Sequence, residues 1–312
     1  MDVYDSTKAC NGTTILSDTH DSANPRIIEV DMQGRITWEY RIPDELNVGA
    51  FVGLDAELLE NGDILFTVSG KGIYEIDRSG VIVWSHADPQ VSHDADRLSN
   101  GNTLYNYGND DTKDDAQAKE VNAAGELVWS WFARDTSLGD TYGDISRGGW
   151  THANAVTRLS NGNTLVSLRN FDQTVEVAQD GSIVWSFDWT SLGGGSTDPH
   201  EPEIQSNGNL LVCMQRESPY RAVEINRSTG EIVWSYADSD LRTARDCDRL
   251  PNGNTLIVAV LENGTNDDFD DDESVILEVS QAGEIVWRLR LKDTLIGQSP
   301  GVFYKAQRTS CS

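Results

Sequence analysis

The sequence predicts an all-β fold, a six-bladed β-propeller built from four-stranded blades, and two recurring signatures predict it. The first is Gly-x-[Ile/Leu/Val]-x-Trp, found at Gly34…Trp38, Gly80…Trp84, Gly125…Trp129, Gly181…Trp185, Gly230…Trp234 and Gly283…Trp287. Successive tryptophans stand 46, 45, 56, 49 and 53 residues apart, about the length of one blade. The second is an Asn-Gly turn between apolar stretches, at Asn61-Gly62, Asn100-Gly101, Asn161-Gly162, Asn207-Gly208, Asn252-Gly253 and, as a variant, Asn11-Gly12. Asn-Gly suits a type I′ hairpin because both central residues take positive φ there.

Each repeat reads as strand, Asn-Gly turn, strand, variable loop, strand, Gly turn and a last strand ending at the Trp. Segments such as Thr164–Leu168 and Ile183–Trp185 are β-prone and too short for helices. The tryptophans are expected to pack between neighbouring blades. The blades fall at residues 51–90, 91–138, 150–192, 198–241 and 243–293, with the first made of 11–50 plus 301–310. That split arises because the first repeat starts directly at its turn, one strand short, while Gly301–Arg308 is spare. Ala306 falls where Ala95 sits in the third repeat, so the C-terminal strand is expected to complete the first blade and close the ring. The same register puts Cys10 and Cys311 side by side at the turn, predicting a disulfide worth roughly 4–5 kcal/mol on the chain-entropy account. Cys213 and Cys247 fall on adjacent blades, as a second disulfide or as buried thiols.

Composition narrows the function. A net charge of −27, with 51 acidic and 24 basic residues, leaves no basic face for nucleic acid. An Asp-rich chain whose only lysines are Lys8, Lys71, Lys113, Lys119, Lys292 and Lys305 fits very salty surroundings, where screening tolerates self-repulsion. No apolar run approaches a membrane span, and the first residues lack the basic and apolar regions of a signal peptide. Either the protein is cytoplasmic, or a leader has been removed. Sequons at Asn11, Asn226 and Asn263 fit the second case, and an extracellular or cell-surface location is expected. The acidic runs 110–115 and 267–273 are expected to be solvated loops, with structural Ca²⁺ as the other reading. No other cofactor is implied, and the repeats fix no oligomeric state.

The repeats also serve as a ruler. Seven positions before each turn Asn lie Leu54, His93, Asn154, His200 and Arg245, and Tyr304 occupies that place on the closing strand. His152 lies two residues before Asn154, and Arg169 ends the second strand of that blade. A purely structural column would favour small or apolar residues. Histidine, asparagine, arginine and tyrosine around one axis instead suggest an anion held by Arg and imidazoles, with one imidazole free to attack. There is no carboxylate pair for glycoside hydrolysis, no Gly-x-Ser-x-Gly and no phosphate loop. Three histidines suit a metal as well, but the arginines close by argue for none.

At these residues the chain resembles a known family. Trp150-Thr151-His152-Ala153-Asn154, followed by Ser160 to Arg169, resembles the His-x-Asn…Ser-x-Arg segment of the arylsulfate sulfotransferases, here of haloarchaeal type. Asp198-Pro199-His200-Glu201-Pro202 resembles the segment bearing that family's catalytic histidine. The resemblance implies nucleotide-independent sulfuryl transfer from an aryl sulfate to a phenol, with His200 as nucleophile and a sulfohistidine intermediate. It further implies that His93, His152, Asn154 and Arg169 bind the sulfuryl oxygens and stabilise the leaving phenolate. Arg245 and Tyr304 come from the register alone and are expected in the pocket wall. The N-terminal β-domain of the best-known bacterial members, which supports dimerisation there, has no counterpart in this sequence. Two rival readings remain. The Gly-x-x-x-Trp repeat is also similar to quinoprotein dehydrogenases, which normally need eight blades. A non-catalytic surface or adhesion propeller would keep the fold without the chemistry.

Overall fold

The computed structural model describes residues 1–49, 52–145, 147–216, 219–261, 273–290 and 303–311, without the side chains of 52–54. Six antiparallel sheets form the propeller. The first consists of Ala306–Arg308, Thr14–Asp18, Arg26–Val30 and Ile36–Arg41 in spatial order. The C-terminal strand is therefore its innermost strand, as expected. The innermost strands of the other five are Val52–Leu58, Ala95–Arg97, Ala153–Arg158, Pro199–Ile204 and Leu241–Arg249. Six blades do not match the eight that quinoprotein dehydrogenases normally need.

The seam has a second closure that the repeats did not predict. Val3–Tyr4 pairs with Ile285–Arg290 and adds a fifth strand to the outer edge of the sixth blade. Both edges at the junction are thus covered by strands from the opposite terminus. An apolar cluster spans the same seam, joining Leu16 and Ile28 of the first blade to Val258, Ile276 and Trp287 of the sixth, with Phe303 and Ala306. The Cys10–Cys311 disulfide lies at the seam, and Cys213–Cys247 ties the fifth blade to the sixth.

The marker tryptophans do pack between blades, and they do so as parts of a repeated clamp. Each indole N–H donates to a backbone carbonyl of the next blade at 2.9–3.2 Å: Trp38 to Arg78, Trp84 to Ala123, Trp129 to Gln179, Trp185 to Arg227, Trp234 to Gln281 and, across the seam, Trp287 to Met32. An arginine from that next blade lies over each ring, its guanidinium carbon 4.3–5.2 Å from the centroid. Every one of these arginines also pairs with a glutamate directly opposite the Trp in its own blade: Glu29, Glu75, Glu120, Glu176, Glu224 and Glu278. One side chain thus supplies apolar area, a donor and a π-face together, which explains why Trp recurs where Leu would fill the same space.

The inner strands are irregular where they near the axis. Register shifts fall between Val52 and Ala56, Ala153 and Ala155, His200 and Glu203, and Ala244 and Asp246. A bulge breaks the strict alternation of a strand and re-aims side chains. Here it lets consecutive residues both face the channel.

Candidate active site

The bulges carry the ruler residues to one end of the axial channel. The His93 ring lies 4.8 Å from that of His152 and 5.4 Å from that of Tyr304, and the His200 ring lies 5.9 Å from that of Tyr304. The guanidinium carbon of Arg245 stands 5.6 Å from the Tyr304 ring. Asn154 donates through Nδ2 to the Pro199 carbonyl at 2.9 Å, tying the fourth blade to the strand that bears His200. Arg169 donates to the Arg147 carbonyl at 2.6 Å and to Asn170. His93, His152, Asn154 and His200 are buried, whereas Arg169, Arg245 and Tyr304 keep partial exposure from lining the channel. The structure therefore brings together His93, His152, Asn154, Arg169, His200, Arg245 and Tyr304; the Leu54 side chain lies outside the described residues.

The backbone here is strained. Five non-glycine residues have positive φ among the described residues, and all five belong to this neighbourhood: Asp110, His152, Asp172, Asp198 and Glu201. Such conformations persist where surrounding contacts over-determine them. Asp172 caps one loop by accepting from the amides of Thr197 and Asp198. Asp111 caps another, accepting from the amides of Thr151 and His152 and from the Thr151 hydroxyl. This corrects the reading of run 110–115 as wholly solvated: Asp111 is buried, because amides some forty positions downstream replace its water. The run 267–272 lies outside the described residues, as does the Asn263 sequon. Among the described residues no group of three or more His, Cys, Asp or Glu side chains is placed to hold a metal.

Hydrogen bonds fix the tautomers. A carbonyl only accepts, so the neutral His200 ring, 2.9 Å from the Asp198 carbonyl through Nδ1, carries its proton there and leaves the Nε2 lone pair free. His152 is held the same way by the Gly148 carbonyl at 2.6 Å. Burial drives all three imidazoles below their ordinary value: His93 well below, with His152 and His200 adding to the effect; His200 well below despite the Asp198 carbonyl; and His152 down to about 4, with Arg169 contributing. At neutral pH the three rings are uncharged, and His152 and His200 are both oriented through Nδ1 with Nε2 left as the lone-pair nitrogen.

Two features escaped the sequence reading. The first is Asp198, whose carboxylate takes two bonds from Arg147 at 2.5 and 2.7 Å, pairs with Arg216 at 3.0 Å and lies 4.0 Å from Arg169. It anchors the loop whose carbonyl orients His200. The second is the other end of the channel. One residue further along the inner strands stand Asp55, Asp94, Glu201 and Asp246, and two beyond these stand Glu57, Asp96, Glu203 and Asp248. Lys305 is bonded to Asp94, lies 2.9 Å from Glu201 and 3.6 Å from Asp55. Most of these acids line a cavity of about 170 Å³. Burial pushes Asp55 up to about 8, Glu57 to about 7 and Asp246 to about 6, although Lys305 opposes it. A larger groove of about 810 Å³, between the fifth and sixth blades, is lined by the Glu224–Arg249–Trp234 clamp and by none of the residues of the axial cluster.

A six-bladed propeller with an axial cluster of neutral imidazoles and guanidinium groups defines the class. The arylsulfotransferase family model matches residues 4–190, and the chain belongs to that family. The matched stretch contains His93, His152, Asn154 and Arg169; His200, Arg245 and Tyr304 lie beyond it and are brought to the others by the fold. None of the curated proteins matches. Among solved structures, a Bacteroides caccae protein of unknown function is 21% identical, with TM-score 0.67 over 95% of this chain and 98% of its own. Virginiamycin B lyase from Staphylococcus aureus is 14% identical, with TM-score 0.55 over 93% of this chain and 87% of its own. At such identities these two likenesses speak to the fold alone.

Proposed function

We propose that this protein is an arylsulfate sulfotransferase that moves a sulfuryl group from an aryl sulfate to a phenol through a sulfohistidine at His200. The observation that carries the reading is the convergence of three neutral imidazoles and Arg169 in a member of this family. Nε2 of His200 attacks sulfur, the bond from sulfur to the aryl oxygen breaks, and its electron pair leaves on the phenolate. The new charge on the His200 ring is met at Nδ1–H by the Asp198 carbonyl. Arg169, Asn154, His93 and His152 surround the sulfuryl oxygens and the leaving oxygen, where charge grows in the transition state. Arg245 and Tyr304 form the wall. In the second half-reaction a phenol oxygen attacks sulfur, its proton passes to a neighbouring imidazole, and the N–S electron pair returns to Nε2. No metal or cofactor is called for, and calcium has no role in these steps.

The two disulfides fit an oxidising compartment, which favours an extracellular or cell-surface location. No helix among the described residues is long and apolar enough to cross a membrane. The acid-rich, lysine-poor composition points to a high-salt working environment.

The test is phenol release from a chromogenic aryl sulfate with a phenolic acceptor at high salt. The parent should turn over, and His200→Ala should lose on the order of a thousand-fold or more. Equal release from both would remove His200 as nucleophile. A folded parent with no release would favour a binding module.

A further inference from the structure

The pocket holds two guanidinium groups that differ in what surrounds them. Arg169 faces the Asp198 carboxylate at 4.0 Å and donates to the Arg147 carbonyl and to Asn170. Arg245 has no carboxylate partner and no hydrogen-bond acceptor among the described residues, and its Nε is buried and unpaired. Its guanidinium carbon stands 5.6 Å from the centroid of the Tyr304 ring. The carboxylate next in sequence is turned away: Asp246 accepts from the Ala306 amide at 2.9 Å.

A charge withdrawn from water without a counter-charge is costly, and it is kept where a ligand supplies the missing one. Two further donors without acceptors point the same way. The Tyr304 hydroxyl is buried and unpaired, and burial keeps it protonated. Asn154 has spent only one amide hydrogen, on Pro199. The imidazoles are neutral, so Arg169 and Arg245 are the standing positive charges of the pocket. A sulfate ester brings one negative charge to this pair. A phosphate monoester has the same tetrahedral shape and carries close to two at neutral pH, its second pKa being about 6.

We propose that Arg245 makes the axial pocket a binding site for a dianionic tetrahedral oxyanion, so that an aryl phosphate monoester binds there more tightly than the singly charged aryl sulfate. The inference rests on the pocket assigned under Proposed function, but not on transfer occurring there.

Calorimetric titration of His200→Ala, which prevents turnover, tests it with three probes at pH 7.5 in phosphate- and sulfate-free buffer. Phenyl phosphate is dianionic; phenyl sulfate and methyl phenyl phosphate are tetrahedral monoanions. Phenyl phosphate should bind on the order of ten-fold more tightly than either monoanion, the effect of one added charge-assisted contact. Adding Arg245→Gln should abolish that preference, weakening phenyl phosphate on the order of ten-fold more than phenyl sulfate. Adding Arg245→Lys should retain part of the preference, which separates loss of charge from loss of fold. Equal binding of all three probes, or a preference that survives Arg245→Gln, overturns the inference. Binding of phenyl sulfate without any preference for phosphate leaves the sulfuryl reading intact. Binding of none of the three to the folded protein removes both.

Discussion

The two ends of the axial channel are made by the same strands, one residue apart, and are opposite in chemistry. His93, His200, Arg245 and Tyr304 face one end; Asp94, Glu201, Asp246 and Lys305, their immediate successors, face the other. In a regular strand such neighbours would point to opposite faces of the sheet. The bulges at His200–Glu203 and Ala244–Asp246 turn that alternation into two stacked layers along the axis. The difference teaches how an acidic protein keeps an anion site. Carboxylates are gathered below, around one lysine and mostly held toward their neutral form by burial, while the arginines and uncharged imidazoles stand above. An anion therefore finds one favourable mouth, which suits the two-step transfer proposed above, in which donor and acceptor use the same mouth in turn.

From this division the upper end is expected to govern activity and the lower end stability. The largest expected effect is at the lower end. Lys305→Met removes the cation bonded to Asp94 and Glu201 and leaves buried carboxylates unpaired, costing about 3–5 kcal/mol in denaturant unfolding. A loss under about 1 kcal/mol would mean that the acids are neutral without the lysine. The upper-end counterpart is Arg169→Met. It should lower kcat/KM for a chromogenic aryl sulfate by on the order of a hundred-fold or more, with unfolding free energy changed by less than about 1 kcal/mol. A variant that unfolds but keeps its turnover would reverse the assignment.

The smallest effect is in pH, where the two ends carry opposite signs. Imidazoles held below 6.5 in the folded protein leave the unfolded chain binding more protons, so stability falls as pH drops from about 6.5 towards 4. Carboxylates held up to about 6, 7 and 8 make the folded chain bind more protons, so that contribution is lost as pH rises from about 4 towards 8. His152→Asn should flatten the acid arm by roughly 1–2 kcal/mol and leave the alkaline arm alone, and Asp55→Asn should do the reverse. Unfolding midpoints between about pH 4 and 9 read both arms. A single substitution that moves both would show that the layers titrate as one.

Much of this was legible in the sequence because repetition supplies its own alignment. Six Gly-x-x-x-Trp motifs fixed the blade number, and the spare strand at 306–308 foretold the closure. The turn asparagines placed His93, Asn154, His200, Arg245 and Tyr304 at one level. The carboxylate layer stood in the adjacent column, yet net acidity reads naturally as surface, and only the bulges reveal it as interior. Asp198 opens the His200 segment and Asp111 lies in an acidic run, but both, like Arg147, sit outside any repeated register, so nothing local marks them as anchors of the site. Val3–Tyr4 is too short to carry a pattern; its partner, Ile285–Arg290, lies at the far end of the chain.

The central claim is that His200 carries the sulfuryl group. The parent, mixed with a chromogenic aryl sulfate without acceptor, quenched and digested, should yield a peptide containing His200 heavier by one sulfuryl group, and a phenolic acceptor added before the quench should remove it. Phenol release at the full rate with that peptide unmodified, or with the group on His93 or His152 instead, would contradict the account.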